Sequence, residues 1–140
     1  MHKLFICAGL LLAMHSPASL ACGHCVEDKI AGVYDHAVVT HALGMKHQVL
    51  FFAIEGQLPS TAVELQTLQH AVAGSYGVDA NSTRISAAVA SLSVAIDPRR
   101  TSIPMLERSL KIKLAKRNLS LQLLRVMDKP AELRTVSRGP

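Results

Sequence analysis

The chain has 140 residues, a hydrophobic fraction of 49%, an aromatic fraction of only 4% and a formal net charge of +5. That length suits one domain around a single core. The cations concentrate at Arg108, Lys111, Lys113, Lys116 and Arg117, which reads as a solvated helix face; with so few aromatics among the charges, no nucleic-acid partner is expected.

The first 21 residues read as a secretory signal. His2 and Lys3 precede an apolar run over 4–14, and Ser16, Pro17, Ala18, Ser19, Leu20 and Ala21 follow. This is the charged, apolar and small-residue order of an export signal, and the run is too short to span a bilayer. Ser19 and Ala21 point to cleavage before Cys22. A lipoprotein signal would cut at the same bond and anchor lipid on Cys22, although Ser19 stands where such signals usually carry Leu. The product is expected to be exported, periplasmic in a Gram-negative cell and otherwise extracellular. No second apolar run long enough for a membrane helix follows, so the processed chain is expected to be soluble. Removal of 21 of 140 residues leaves 119, and the loss of Lys3 lowers the charge from +5 to +4.

Residues 26–43 read as one helix, with Glu27 and Asp28 in its first turn and Gly44 as its stop. The apolar run 49–54 is short and flanked by Gly56 and Pro59, as a central strand buried on both faces would be. Thr61-Ala62-Val63-Glu64 fits a capping box, and Leu65, Leu68 and Val72 continue at helical spacing until Gly74 and Gly77. From 84 to 96 the pattern alternates. This is one long strand or a hairpin turning near Ala90-Ser91, the second weakened because neither residue tolerates positive φ well. Asp97-Pro98 ends the segment. Ser102 and Pro104 open a helix with Leu106, Leu110 and Leu114 inside. Residues 119–127 read as a last strand, and a polar tail occupies 129–140.

The expected fold is α+β: a ferredoxin-like βαββαβ sandwich over 47–128, preceded by an additional N-terminal helix within 22–46. Three phrases sharpen it: Ser60-Thr61-Ala62-Val63-Glu64-Leu65 at a helix start, Gly77-Val78 at its exit, and Val94-Ala95-Ile96-Asp97-Pro98 closing a strand. In that order, ahead of a helix carrying Leu106 and Leu110, they make residues 47–128 resemble the heavy-metal-associated domain of copper chaperones and metal-transporting ATPases. The resemblance implies soft-metal binding and a protein partner in metal handling. Members of that family usually bind metal through G-M-x-C-x-x-C between the first strand and first helix. Here the loop reads Gly56-Gln57-Leu58-Pro59-Ser60-Thr61-Ala62, with Pro59 and Ala62 where thiols belong. No family ligand carries over to it. Aligning Cys22-Gly23-His24-Cys25 with the family loop instead would need a strand where the signal lies.

With Cys7 lost in the signal, Cys22 and Cys25 are the remaining thiols. A disulfide between them would close too small a loop to stabilise a fold by chain entropy, so the pair is chemical rather than structural. Two thiols three apart suit Cu(I) or zinc, His24 adds an imidazole, and Asp28 one turn on offers an oxygen. Cys25 at a helix start would favour thiolate. Cleavage before Cys22 would also place His24 third from a free amine, a square-planar arrangement that suits Cu(II) or Ni(II).

C-G-H-C is also the dithiol motif of protein disulfide isomerase, so Cys22 and Cys25 could form a redox disulfide. The preceding strand and Trp of that context are missing. His36 and His41 form at most a weak second metal site; these two, with His47 and His70, read as solvent-facing or partly buried polar residues. No hydrolase motif or phosphate-cradling glycine loop stands out. The leading expectation is an exported soft-metal protein, with copper, as Cu(I), preferred over zinc and no chemical turnover. The others are a thiol–disulfide protein using the same cysteines and a metal-free interaction module.

Overall fold

The computed structural model describes residues 21–130, with side chains from Val26 onward. Residues 1–20 of the signal expected over 1–21, and residues 131–140 of the tail expected over 129–140, lie outside the described residues. Eight elements follow in order: α1 (Ala21–Ala31), α2 (His36–Gly44), β1 (Gln48–Glu55), α3 (Ala62–Ala73), β2 (Arg84–Ser86), β3 (Ser91–Ile96), α4 (Ile103–Ala115) and β4 (Ser120–Met127). The strands form one sheet in the order β2-β3-β1-β4, every neighbouring pair antiparallel. With α3 and α4 as the crossovers, this is the ferredoxin-like arrangement.

Each crossover helix begins on a side-chain cap. Thr61 Oγ1 accepts from the Glu64 amide at 3.3 Å, the N-cap bond expected from sequence, while the Glu64 carboxylate turns back to accept from the Thr61 hydroxyl at 2.8 Å rather than from its backbone amide. Ser102 Oγ accepts from the Met105 amide at 3.4 Å, and Pro104 sits in the first turn of α4. Leu68 and Val72 of α3, with Leu106, Leu110 and Leu114 of α4, pack on Leu50, Phe52, Ile54, Leu92, Val94 and Ile96. At the exit of α3, Gly77 has φ +82°, and a Cβ there would lie 2.3 Å from Thr101 Cγ2. Only glycine fits both the backbone conformation and the approach.

The opposite face of the sheet is covered too. Val49, Phe51 and Ala95 meet Ile30, Val39 and Ala42 from the N-terminal helices and Val33 from the turn between them, with Val26, Leu43, Leu124 and Met127 at the margin. The molecule therefore has three layers, and β1 is apolar from Val49 to Ile54 because both of its faces are buried there.

Two expectations change. The single helix over 26–43 is two helices, because Asp35 Oδ1 accepts from the amides of Ala37 (3.0 Å) and Val38 (3.2 Å) and so starts a new one. The described α1 also takes in Ala21 to Cys25, so Glu27 and Asp28 are not in its first turn and Cys25 is not at its start. Of the two readings for 84–96 the hairpin is the one found, and Ala90 in its turn does adopt positive φ, +48°.

Candidate functional site

The helix that carries Cys22, His24 and Cys25 is tied to the sheet along its C-terminal half. Val26 and Ile30 reach the core beneath it. Glu27 pairs with Arg125 of β4, whose guanidinium lowers the Glu27 pKa. Lys29 Nζ donates to the carbonyls of Val89 (2.7 Å) and Ala90 (3.3 Å) in the hairpin turn. Gly32 follows against the same turn, where a Cβ would lie 2.4 Å from Val89 Cγ2. Ser93 Oγ, buried in β3, donates to the Val33 carbonyl at 2.9 Å. These contacts run α1 across the sheet, with Glu27 towards the β4 edge and Lys29 towards the β2–β3 turn. Cys22, Gly23, His24 and Cys25 occupy the described helix ahead of this anchored part; their side chains lie outside the described residues. Asp28 is exposed on the same helix.

The loop over 56–62 is filled differently from a metal loop. Leu58 packs against the core and Thr61 caps α3, so its side chains serve packing and helix initiation. Among the described residues, no three or more His, Cys, Asp or Glu side chains group so as to hold a metal ion.

A second polar site had no place in the expectations. His47, expected to be solvent-facing or partly buried, is 8% exposed. Its Nδ1 lies 2.7 Å from Asp79 Oδ2 and its Nε2 lies 3.7 Å from Asp97 Oδ2. A carboxylate only accepts, so Nδ1 carries the proton and donates to Asp79. Nε2 is buried without a hydrogen-bond partner; a second proton on the ring would face Asp97. Arg99 binds Asp97 through Nε to Oδ1 at 2.9 Å and through Nη2 to Oδ2 at 3.0 Å. Chiefly through that pairing, and through the Arg99 amide, the Asp97 pKa falls to about 2.

His47 and Asp79 line a cavity of about 510 Å³ between α2 and residues 79–84, with His41, Met45, Asn81 and Arg84 also on its wall. The only sequence signal for this cluster was that His47, Asp79 and Asp97 each stand beside a predicted strand or helix end. Their convergence requires the sheet order.

His36 and His41 are both exposed but do not share a cavity. His41 lines the cavity of His47, whereas His36 lines one with Tyr34, Val39, Leu43 and Met127. Five positions apart, they leave α2 in different directions. His70 is exposed, as expected. Asp35, beyond capping α2, pairs with Arg84 Nη2 at 2.9 Å; its pKa is lowered first by the Val38 amide and then by Arg84.

No protein-family model matches the sequence, and no curated protein matches it. Among solved structures, the chain is similar to oxidized MerP from Ralstonia metallidurans CH34. The identity is 16% and the TM-score 0.45, over 56% of this chain and 99% of that one. The ferredoxin-like fold rests on the sheet order and packing described above. Among the described residues, no helix is long and apolar enough to cross a membrane.

Proposed function

We propose that this is an exported protein that holds a soft metal ion, Cu(I) before zinc, through Cys22, His24 and Cys25, with Asp28 as an oxygen donor, and passes it on by ligand exchange. The observation that carries the reading is the pairing of a thiol–imidazole cluster with an anchored helix: Lys29, Ile30 and the Glu27–Arg125 pair fix α1 to the sheet. Positions three apart on a helix are neighbours, so two thiolates at Cys22 and Cys25 can converge on one ion. The loop over 56–62 is occupied by packing and capping, which leaves the N-terminal cluster as the donor set. Transfer needs no turnover: an incoming thiolate from a partner replaces one ligand at a time. His36 and His41 have no part in it, since they line different cavities.

The same thiol spacing favours a second reading, a dithiol that cycles with a disulfide between Cys22 and Cys25. Native mass spectrometry separates the two. The protein is expressed with its own N-terminus and offered Cu(I) under reducing conditions. The metal reading expects a chain beginning at Cys22 with one copper bound, lost when both cysteines become serine. A chain that stays metal-free, and is lighter by two hydrogens when isolated without reductant, would overturn it in favour of the dithiol. A mass increase of a lipid on Cys22 would place the site on an anchored protein and remove the free-amine geometry.

A further inference from the structure

Helix α4 turns two different faces to its surroundings. Leu106, Leu110 and Leu114 are buried against the sheet, while Met105, Arg108, Lys111 and Ile112, with Lys116 at the helix end, are exposed. Met105 and Ile112 are 60% and 61% exposed, high for large apolar side chains. Spacings of three and four put Met105, Arg108, Ile112 and Lys116 on one line along the helix, with Lys111 beside it. Lys113, by contrast, is turned inward, its Nζ donating to the Ala71 carbonyl at 3.1 Å and to Ser75 Oγ at 3.0 Å. Among the described residues, Arg108, Lys111 and Lys116 enter no ion pair. A cavity of about 510 Å³ beside them is lined by Glu107, Arg108, Lys111, Ser120 and Leu121. Glu107 is half-buried at its wall, and the Ser120 hydroxyl is given to Glu55 at 3.2 Å.

We propose that the outer face of α4 docks on an anionic phospholipid bilayer. A single exposed apolar residue is ordinary. Two of them interleaved with three unpaired cations on a helix of about 20 Å present apolar and basic groups on one side. A planar bilayer matches that: Met105 and Ile112 enter the headgroup–acyl boundary while Arg108, Lys111 and Lys116 meet lipid phosphates. An acidic protein surface would satisfy the cations but leave Met105 and Ile112 in need of apolar pockets. The inference is independent of the metal reading.

Vesicle co-sedimentation tests it. The full protein at low salt is expected to bind phosphatidylcholine vesicles containing about one-third phosphatidylglycerol, to ignore phosphatidylcholine alone, and to be released by high salt. Each cation near such a surface strengthens binding about five-fold, so Arg108→Gln with Lys111→Gln should weaken it about 25-fold. Lys46→Gln, an exposed lysine on another face, should leave it unchanged. Met105→Ser with Ile112→Ser should weaken binding while the circular dichroism spectrum keeps its shape. Equal binding to both vesicle types, no binding to either, or full binding by the Arg108/Lys111 variant would each overturn the proposal. So would release by inorganic phosphate at constant ionic strength, which would mark a site for a free anion.

Discussion

Asp97 shows how one side chain can set an acid limit. Its carboxylate takes two contacts from the Arg99 guanidinium and one from the Arg99 amide, which hold its pKa at about 2 against an ordinary 3.8. Because the folded value is the lower one, the stabilisation is complete above the unfolded pKa and fades as pH falls from 3.8 towards 2. In thermal melts across that window the wild-type midpoint should fall more steeply than that of Asp97→Asn, which cannot titrate. Parallel slopes would show that the Arg99 pairing survives unfolding. Glu27 and Asp35 also have lowered pKa values and lose their contribution in the same direction, but the Asn variant leaves both in place. None of this was legible in the sequence, where Asp97 stood only as the end of a strand. Its partners His47 and Arg99 lie 50 residues back and two residues on, and nothing in either spacing says that they meet.

At the scale of elements, the hairpin turn and α1 depend on each other. Ala90 sits at φ +48°, a conformation costing a non-glycine residue about 1–2 kcal/mol. Its carbonyl accepts from the Ile54 amide at 2.8 Å and, at 3.3 Å, from Lys29. Those long-range contacts hold the turn where local preference would not, which is why the sequence argued against the hairpin found. Ala90→Gly should therefore raise unfolding stability by about 0.5–1 kcal/mol, the relieved strain exceeding the extra chain entropy of glycine. Lys29→Met should lower it by about 1–2 kcal/mol, since the cation's bonds to the Val89 and Ala90 carbonyls are lost. Urea titrations followed by circular dichroism measure both. A neutral Lys29→Met would mean that α1 is held by its other contacts, the burial of Val26 and Ile30, the Gly32 approach and the Glu27–Arg125 pair. The break between α1 and α2 was readable in principle, because Gly32 and the N-cap Asp35 stand in sequence. The alternative stop at Gly44 and the apolar residues on both sides concealed it.

For the whole molecule, the consequence of three layers is that the N-terminal helices are part of the core. A chain beginning at His47 keeps every strand and both crossover helices, yet it would expose Val49, Phe51, Ala95, Leu124 and Met127, which α1 and α2 now cover. Such a truncation should bind a hydrophobic dye and aggregate, and Phe51→Ala in the full chain should cost about 3–5 kcal/mol. A well-behaved truncated monomer would show instead that the α1–α2 layer is an accessory to an independently stable sandwich. The same layering matters for the metal site proposed at the N-terminal cysteines, because an ion bound there would sit on a helix that the fold itself holds.

The periodicities by themselves determined the crossover helices, the buried central strand and the last strand. Each is a local pattern of apolar spacing, capping residue and breaker, and such patterns act within a few residues of one another. Together with element order they were enough to name the ferredoxin-like topology. The C-G-H-C cluster was likewise visible in four consecutive letters. Only the tertiary structure decided that a second layer of helices closes the other face, that Ala90 is held at positive φ, and that His47 lies between Asp79 and Asp97. Each of those depends on groups far apart in the chain, brought together by the antiparallel pairing of β1 with β3 and by the burial of the Val49–Phe51–Ala95 face. Burial and long-range hydrogen bonds are properties of the packed sheet, and no window of neighbouring residues contains them.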